Sequence, residues 1–227
     1  MTADADASLL PLMLWLSPAF PVGAFAYSHG LEWAVEAGDV RDAVSLEGWL
    51  VDLFDFGAPR ADAIVFAASH RAASAADWPG LVEINAFAVA LALSAERRLE
   101  TGAQGAAFVA AARAAWDCPP LLRLAEEERV AYPVAVAAAA AGHNFALQPS
   151  LEAFVLALAS NLVSAAVRLG PIGQTPGQRI LAALLPGVKA LAKTAAASTL
   201  ADVGGCAFRS DIAAMKHETQ YSRLFRS

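Results

Sequence analysis

The sequence predicts an all-α protein: a single-domain helical bundle of roughly eight to ten helices over residues 1–227. Three observations carry that expectation. Ala, Leu, Glu and Arg dominate nearly every segment, and these residues lose little side-chain freedom in a helix. No alternating run of β-branched residues is long enough to make a strand. Apolar positions recur at helical spacing, as in Leu46, Trp49, Leu50 and Leu53.

The breaks between helices fall at Pro and Gly. A first helix is expected to end near Leu16, where Pro18, Pro21 and Gly23 interrupt the chain, and a second to begin near Ser28 with that serine as its N-cap. Ser45 is the expected cap of the next. A helix over about residues 59–73 precedes a long one that follows Pro79 and runs to Trp116, either continuous or bent where Gly102 and Gly105 lower helix propensity. "DCPP", residues 117–120, ends it and starts a shorter helix. Pro133 opens an Ala-rich helix that stops near Gly142. Ser150 starts a helix reaching Leu169, with Gly170 and Pro171 as its stop signal. Thr175, Pro176 and Gln178 read as a capping box for the following helix, which extends to about Thr199 with a break at Pro186 and Gly187. Beyond Gly204 and Gly205 a last short helix covers roughly residues 210–218, and a tail follows.

Composition narrows the class of function. Hydrophobic residues make up 57% and charged residues 17%, against roughly 25% charged in an average soluble domain. The most apolar segment, residues 151–167, is interrupted by Glu152 and Asn161 and is rich in Ala, so extra apolar area buried between helices or subunits is favoured over a membrane span. "MTADADASLL" carries acidic residues and no Lys or Arg before its short apolar run, the wrong sign for a secretory signal, which points to the cytoplasm. Cys118 and Cys206 are too few for a disulfide framework and read as buried free thiols. A net charge of −6 offers nucleic acid no general attraction. From Arg209 onward, however, Arg209, Lys216, Arg223 and Arg226 outnumber Asp211 and Glu218, a basic end on an acidic body.

Tyr27, Ser28, His29 and Glu32 crowd the stretch "LSPAFPVGAFAYSHGLE" and could in principle supply nucleophile, base and orienting acid. Adjacent residues on a helix point about 100° apart, a capping serine is engaged by backbone N–H groups, and no G-x-S-x-G elbow exposes Ser28. A capped helix start is favoured, with an enzyme using Tyr27, Ser28 and His29 as the alternative. "RLGPIGQTPGQ", residues 168–178, lacks the preceding strand and the closing Lys of a phosphate loop and reads as a rigid inter-helix loop, whose exposed Gln174 suits a contact surface. His29, His70, His143 and His217 have no metal-ligand spacing and read as surface or capping side chains, so no metal and no cofactor is expected. "SAERRLETGAQG", residues 94–105, reads as a solvated face with local ion pairs, or else as a polar stripe of Arg97, Glu100 and Gln104 at a subunit boundary. The end, "HETQYSRLFRS", interleaves Tyr221, Leu224 and Phe225 with Arg223 and Arg226, and reads as a partner-docking tail over about residues 209–227 rather than as ordinary packing on its own body.

Four of these stretches, "SPAFPVGAFAYSHGLE", "ERRLETGAQG", "RLGPIGQTPGQ" and "HETQYSRLFRS", span Ser17 to Ser227 in order, and together they resemble the UreF family of urease accessory proteins. One departure stands out: His29 occupies a position where the family's first motif has Gln. The resemblance implies a non-catalytic, cytoplasmic, all-helical scaffold for maturation of the nickel centre of urease. Such a scaffold forms homodimers, binds the UreD/UreH accessory protein, and through it recruits the UreG GTPase that brings nickel to apo-urease; it also influences GTP hydrolysis. Carried onto this chain, Tyr27, Ser28 and Glu32 would lie on or beside the partner-facing surface, and Arg168, Gly173, Gln174 and Gln178 would shape the loop and helix start near it. Tyr221, Arg223, Leu224, Phe225 and Arg226 would form the tail that orders against UreD/UreH.

Overall fold

The computed structural model describes residues 9–92 and 94–226. The expectation for most of the N-terminal stretch, residues 1–8, and for Ser227 at the end of the tail lies outside them. Among the described residues the fold is all-α, with no strand. The elements are α1 (Leu10–Trp15), α2 (Leu31–Glu36), α3 (Ala43–Phe56), α4 (Ala58–Ser74), α5 (Trp78–Ala90), α6 (Ala95–Trp116), α7 (Pro119–Leu124), α8 (Tyr132–Gly142), α9 (Leu147–Leu169), α10 (Gln174–Ala197) and α11 (Phe208–His217). Short 3-10 turns at Ala24–Ala26 and Leu200–Asp202 join them.

The bundle is built around α8. Every residue from Tyr132 to Ala141 is buried, because α4, α6 and α7 pack against this one helix. That enclosure explains why its sequence has no amphipathic period: a helix covered on all sides has no polar face to alternate with. Its alanines let the neighbouring backbones come close. Gly105 of α6 shows how close, since a Cβ there would lie 1.9 Å from the Val130 carbonyl oxygen just before α8. Gly105 therefore serves packing, not bending. Around this centre, α9 lies along α4 and α10, with Leu151, Phe154, Val155, Leu162 and Val163 buried. Helices α9 and α10 are both long and apolar enough to cross a membrane by length and composition; α9 spends that character on the core.

Several boundaries differ from expectation, each for a local reason. The second helix begins at Leu31, not Ser28, with Gly30 as N-cap at φ 76°. A Cβ on Gly30 would lie 2.5 Å from the Ala214 backbone nitrogen, so close contact with α11 demands glycine. Asp42 caps α3, and Ser45, three residues in, completes a capping box with it; Leu46, Trp49, Leu50 and Leu53 form the buried face as the spacing predicts. The long helix after Pro79 is two helices, parted before Ser94, whose hydroxyl accepts from the Arg97 N–H at 3.0 Å. Helix α9 starts at Leu147, and Ser150 instead bonds back to the Ala146 carbonyl. At α10 the cap is Gly173 without a side-chain bond, so Thr175 and Pro176 fall within the first turn, where a missing N–H costs nothing. The helix continues through Pro186, since Ile180 and Leu184 before it and Val188 and Ala192 after it are all buried and hold both halves in line.

The two glycines of α6 separate packing from propensity. Nothing lies within 4 Å of a Cβ on Gly102, so Gly102→Ala is expected to raise unfolding stability by about 0.5–1 kcal/mol. Gly105→Ala is expected to lower it by more than about 2 kcal/mol through overpacking. Urea denaturation of the two variants reads both.

Candidate functional site

The first motif and the tail, nearly two hundred residues apart in sequence, meet at one carboxylate. Glu32, in the first turn of α2, is buried. Its Oε1 accepts the Leu224 N–H at 2.6 Å, and its Oε2 accepts the Phe225 N–H at 2.9 Å. The same Oε2 lies 3.0 Å from His217 Nε2 at the end of α11. His217 is fully buried, and its Nδ1 lies 2.8 Å from Oε2 of Glu96 in the first turn of α6. Glu96 Oε1 then accepts from Arg223 at 3.0 Å. Further along, the Arg226 N–H donates to the Ala26 carbonyl at 2.7 Å, so the tail runs beside the 3-10 turn of the first motif.

Side chains complete the closure. Phe225 is buried, with the Arg168 guanidinium 4.3 Å from its ring centroid. Arg168 also donates to the Phe25 carbonyl at 2.5 Å, tying the end of α9 to both partners. Gln220 donates to Glu36 at 2.5 Å, and Glu218 accepts the Ala95 N–H at 2.8 Å, satisfying a free donor at the start of α6. The tail is thus laid on the chain's own α2, where the sequence favoured an uncovered segment ordered only by a partner. The physical reason is Glu32, which offers two acceptor oxygens to two consecutive amides. Tyr221 and Leu224 still point outward and are exposed.

Tyr27 is buried, with its carbonyl accepting from Asn161 at 3.4 Å. Ser28 is fully buried, and its Oγ accepts the Glu32 N–H at 3.3 Å, so it supports the start of α2 without being its N-cap. Gly173, Gln174 and Gln178 sit exposed at the start of α10, and of that motif it is Arg168 that reaches the tail. The rival enzymatic grouping is split: Ser28 faces its own helix, while His29 turns to Glu100.

Helix α6 carries a second polar cluster that contradicts the solvated-face expectation. Glu96, Glu100 and Gln104 are buried, and Arg97 is largely so. Glu100 Oε1 lies 2.9 Å from His29 Nε2 and accepts from Gln104 at 2.9 Å, while Arg97 pairs with Glu100 at 3.2 Å and with Asp62 of α4. Of these groups, His29, Asp62, Arg97 and Glu100 line a cavity of about 100 Å³ between α3, α4, α6 and α11. Burial pushes the Glu100 carboxyl up, but His29 and Arg97 outweigh it and hold it at about 2, against 4.5 ordinarily. For Asp62 burial wins over Arg97, and its carboxyl is raised. The surface assignment of the histidines is likewise corrected, since His29, His70 and His217 are all buried, and so is the buried-thiol assignment of Cys206, which is exposed and donates to Asp211 at 3.1 Å.

Sequence reasoning passed over Glu96 and His217 as functional groups. The signal was present: Glu96, Glu100, Gln104 and Phe108 recur every four residues, so they share a stripe whose last member is a core aromatic.

Comparison with known proteins decides the family. A family model described as UreF matches residues 40–185. The chain belongs to the UreF family. It is 59% identical over 227 residues to the urease accessory protein UreF of Xanthobacter autotrophicus, covering 99% of this chain and 93% of that protein. It is 55% identical to UreF of Methylobacterium radiotolerans, covering 96% of each. It is 53% identical to UreF of Azorhizobium caulinodans, covering 98% of this chain and 97% of that one. The UreF model stops short of both ends of the Glu32 closure, whereas the Xanthobacter relative aligns across them.

Two outcomes follow from the geometry. Glu32→Ala removes the acceptor of two amides and a partner of a buried histidine; it is expected to cost about 3 kcal/mol and to abolish hydrogen-exchange protection at Leu224 and Phe225. Glu100, with its folded value depressed, contributes stability that is complete above its ordinary 4.5 and is lost as pH falls toward about 2. Asp62, with its value raised, contributes in the opposite sense, its share lost as pH rises. Glu100→Gln should therefore flatten the acid limb of a thermal-stability profile, and an unchanged limb would refute this.

Proposed function

We propose that this UreF-family chain is a non-catalytic scaffold of urease maturation, acting in the cytoplasm as a homodimer without a cofactor of its own. It bridges the UreD/UreH accessory protein and the UreG GTPase, presents nickel-loaded GTPase to apo-urease, and influences GTP hydrolysis. The observation that carries this reading is its likeness across the whole chain to proteins named as urease accessory proteins.

The surface beside the tail supports the docking part. Phe208, Ile212 and Met215 of α11 are 72%, 53% and 50% exposed, and their spacing puts them on one helical face. Phe56 and Phe208 share a groove at the start of that face. Leu224 is 66% exposed further along the same terminal segment, and Tyr221 is fully so. Apolar side chains exposed along one helical face suit a partner site, and Arg223 and Arg226 of the tail add residue types favoured at interfaces.

Tyr221→Ala with Leu224→Ala removes outward side chains while leaving the Glu32 closure in place. The double variant is expected to keep its helicity and melting temperature but to lose co-purification with UreD/UreH. Deleting residues 223–227 should remove co-purification as well, with helicity retained. Undiminished capture of UreD/UreH by both variants would overturn the tail's docking role.

A further inference from the structure

His217 makes two contacts of the same kind. Its Nε2 lies 3.0 Å from a Glu32 oxygen and its Nδ1 lies 2.8 Å from a Glu96 oxygen. An ionised carboxylate can only accept, and a neutral imidazole carries a single N–H, so only the imidazolium satisfies both contacts. The ring is fully buried, which leaves no bulk water to repair a mismatch. The remaining charges around it are already engaged or face solvent. Glu36 of α2 takes Gln220, Glu218 takes the Ala95 N–H, Arg97 is turned to Asp62 and Glu100, and Lys216 is exposed. Arg223 of the tail is the other cation on Glu96.

The two carboxylates that hold the ring are the two that hold the tail. Glu32 binds the amides of Leu224 and Phe225, and Glu96 binds Arg223. We propose that His217 is a proton-dependent latch: the docked tail requires the doubly protonated ring, and loss of one proton from the Glu32–His217–Glu96 unit releases residues 223–226. With that proton gone, a ring lone pair faces a carboxylate oxygen in a dry site. The strain is relieved by turning Glu32 or Glu96 toward water, which breaks the bonds to the tail. Docking is therefore held while the ring carries both protons and is weakened when it loses one of them. This goes beyond the scaffold reading and holds whichever partner meets the tail.

The test uses the full-length protein, labelled with nitrogen-15, between about pH 6 and about pH 9. The His217 ring nitrogens report its protonation, and amide exchange at Leu224 and Phe225, corrected for the intrinsic rate, reports docking. The expected result is at least about a tenfold fall in protection across the range, in step with the ring signal. In Glu96→Gln the side-chain amide can donate to Nδ1 and satisfy a neutral ring, so protection there should be nearly independent of pH. A neutral ring in the docked wild-type protein, or protection that stays flat in wild type, would overturn the latch, and so would an equal pH dependence in Glu96→Gln. The ring signal of the wild type decides the matter even if the variant fails to fold.

Discussion

A carboxylate sealed from water must find donors, and Glu32 finds them in parts of the chain that are far apart in sequence. Two amides of the tail and the ring of His217 converge on its two oxygens. Because the start of α2 is itself fixed by Gly30 against α11 and by the Ser28 hydroxyl, the acceptor is presented at a set position. Each donor it gathers is thereby positioned too. The tail follows Glu32, and the exposed apolar side chains beside it follow the tail. Mutual attraction of unlike charges in a dry site is strong only when every group is satisfied, and this cluster meets that condition through Glu96 and Arg223.

The body behind this cluster is rigid for a different reason. Helix α8 is enclosed on all sides, and its small side chains bring α4 and α6 near enough that Gly105 has no room for a Cβ. Asp62 on α4 and Arg97 and Glu100 on α6 are thus held at ion-pair distance by apolar packing. The polar network does not assemble the bundle; the close-packed alanines position the network. That ordering suits the proposed scaffold role, since the polar network rests on elements with little freedom to shift.

Helical character, most of the breaks and the buried face of α3 were legible in the sequence, because Pro, Gly and a 3.6-residue period are local signals; the break before Ser94 was not, and Pro186 signalled one that α10 does not make. The caps were less legible. Ser28, Ser45, Ser150 and Thr175 all have the right chemistry, yet a serine within the first turn can serve as well as one at the cap, as Ser45 does for Asp42. The tail and first motif were both legible as unusual, and the resemblance joined them to one family. Their contact was not, because pairing residues 32 and 217 depends on how eight intervening helices stack. The burial of Glu96 and Glu100 was half legible: their four-residue spacing ends on Phe108, but charged residues on a helix ordinarily face water.

The order in which these residues are made has a consequence of its own. On the ribosome Glu32 and Glu96 emerge long before His217, Arg223 and the amides that will neutralise and bond them. A growing chain can stack most of its helices, yet it must keep those two acids hydrated until residues 217–225 are free of the exit tunnel. A product truncated before His217 would therefore fold much of its body while leaving both acids without the donors that settle them.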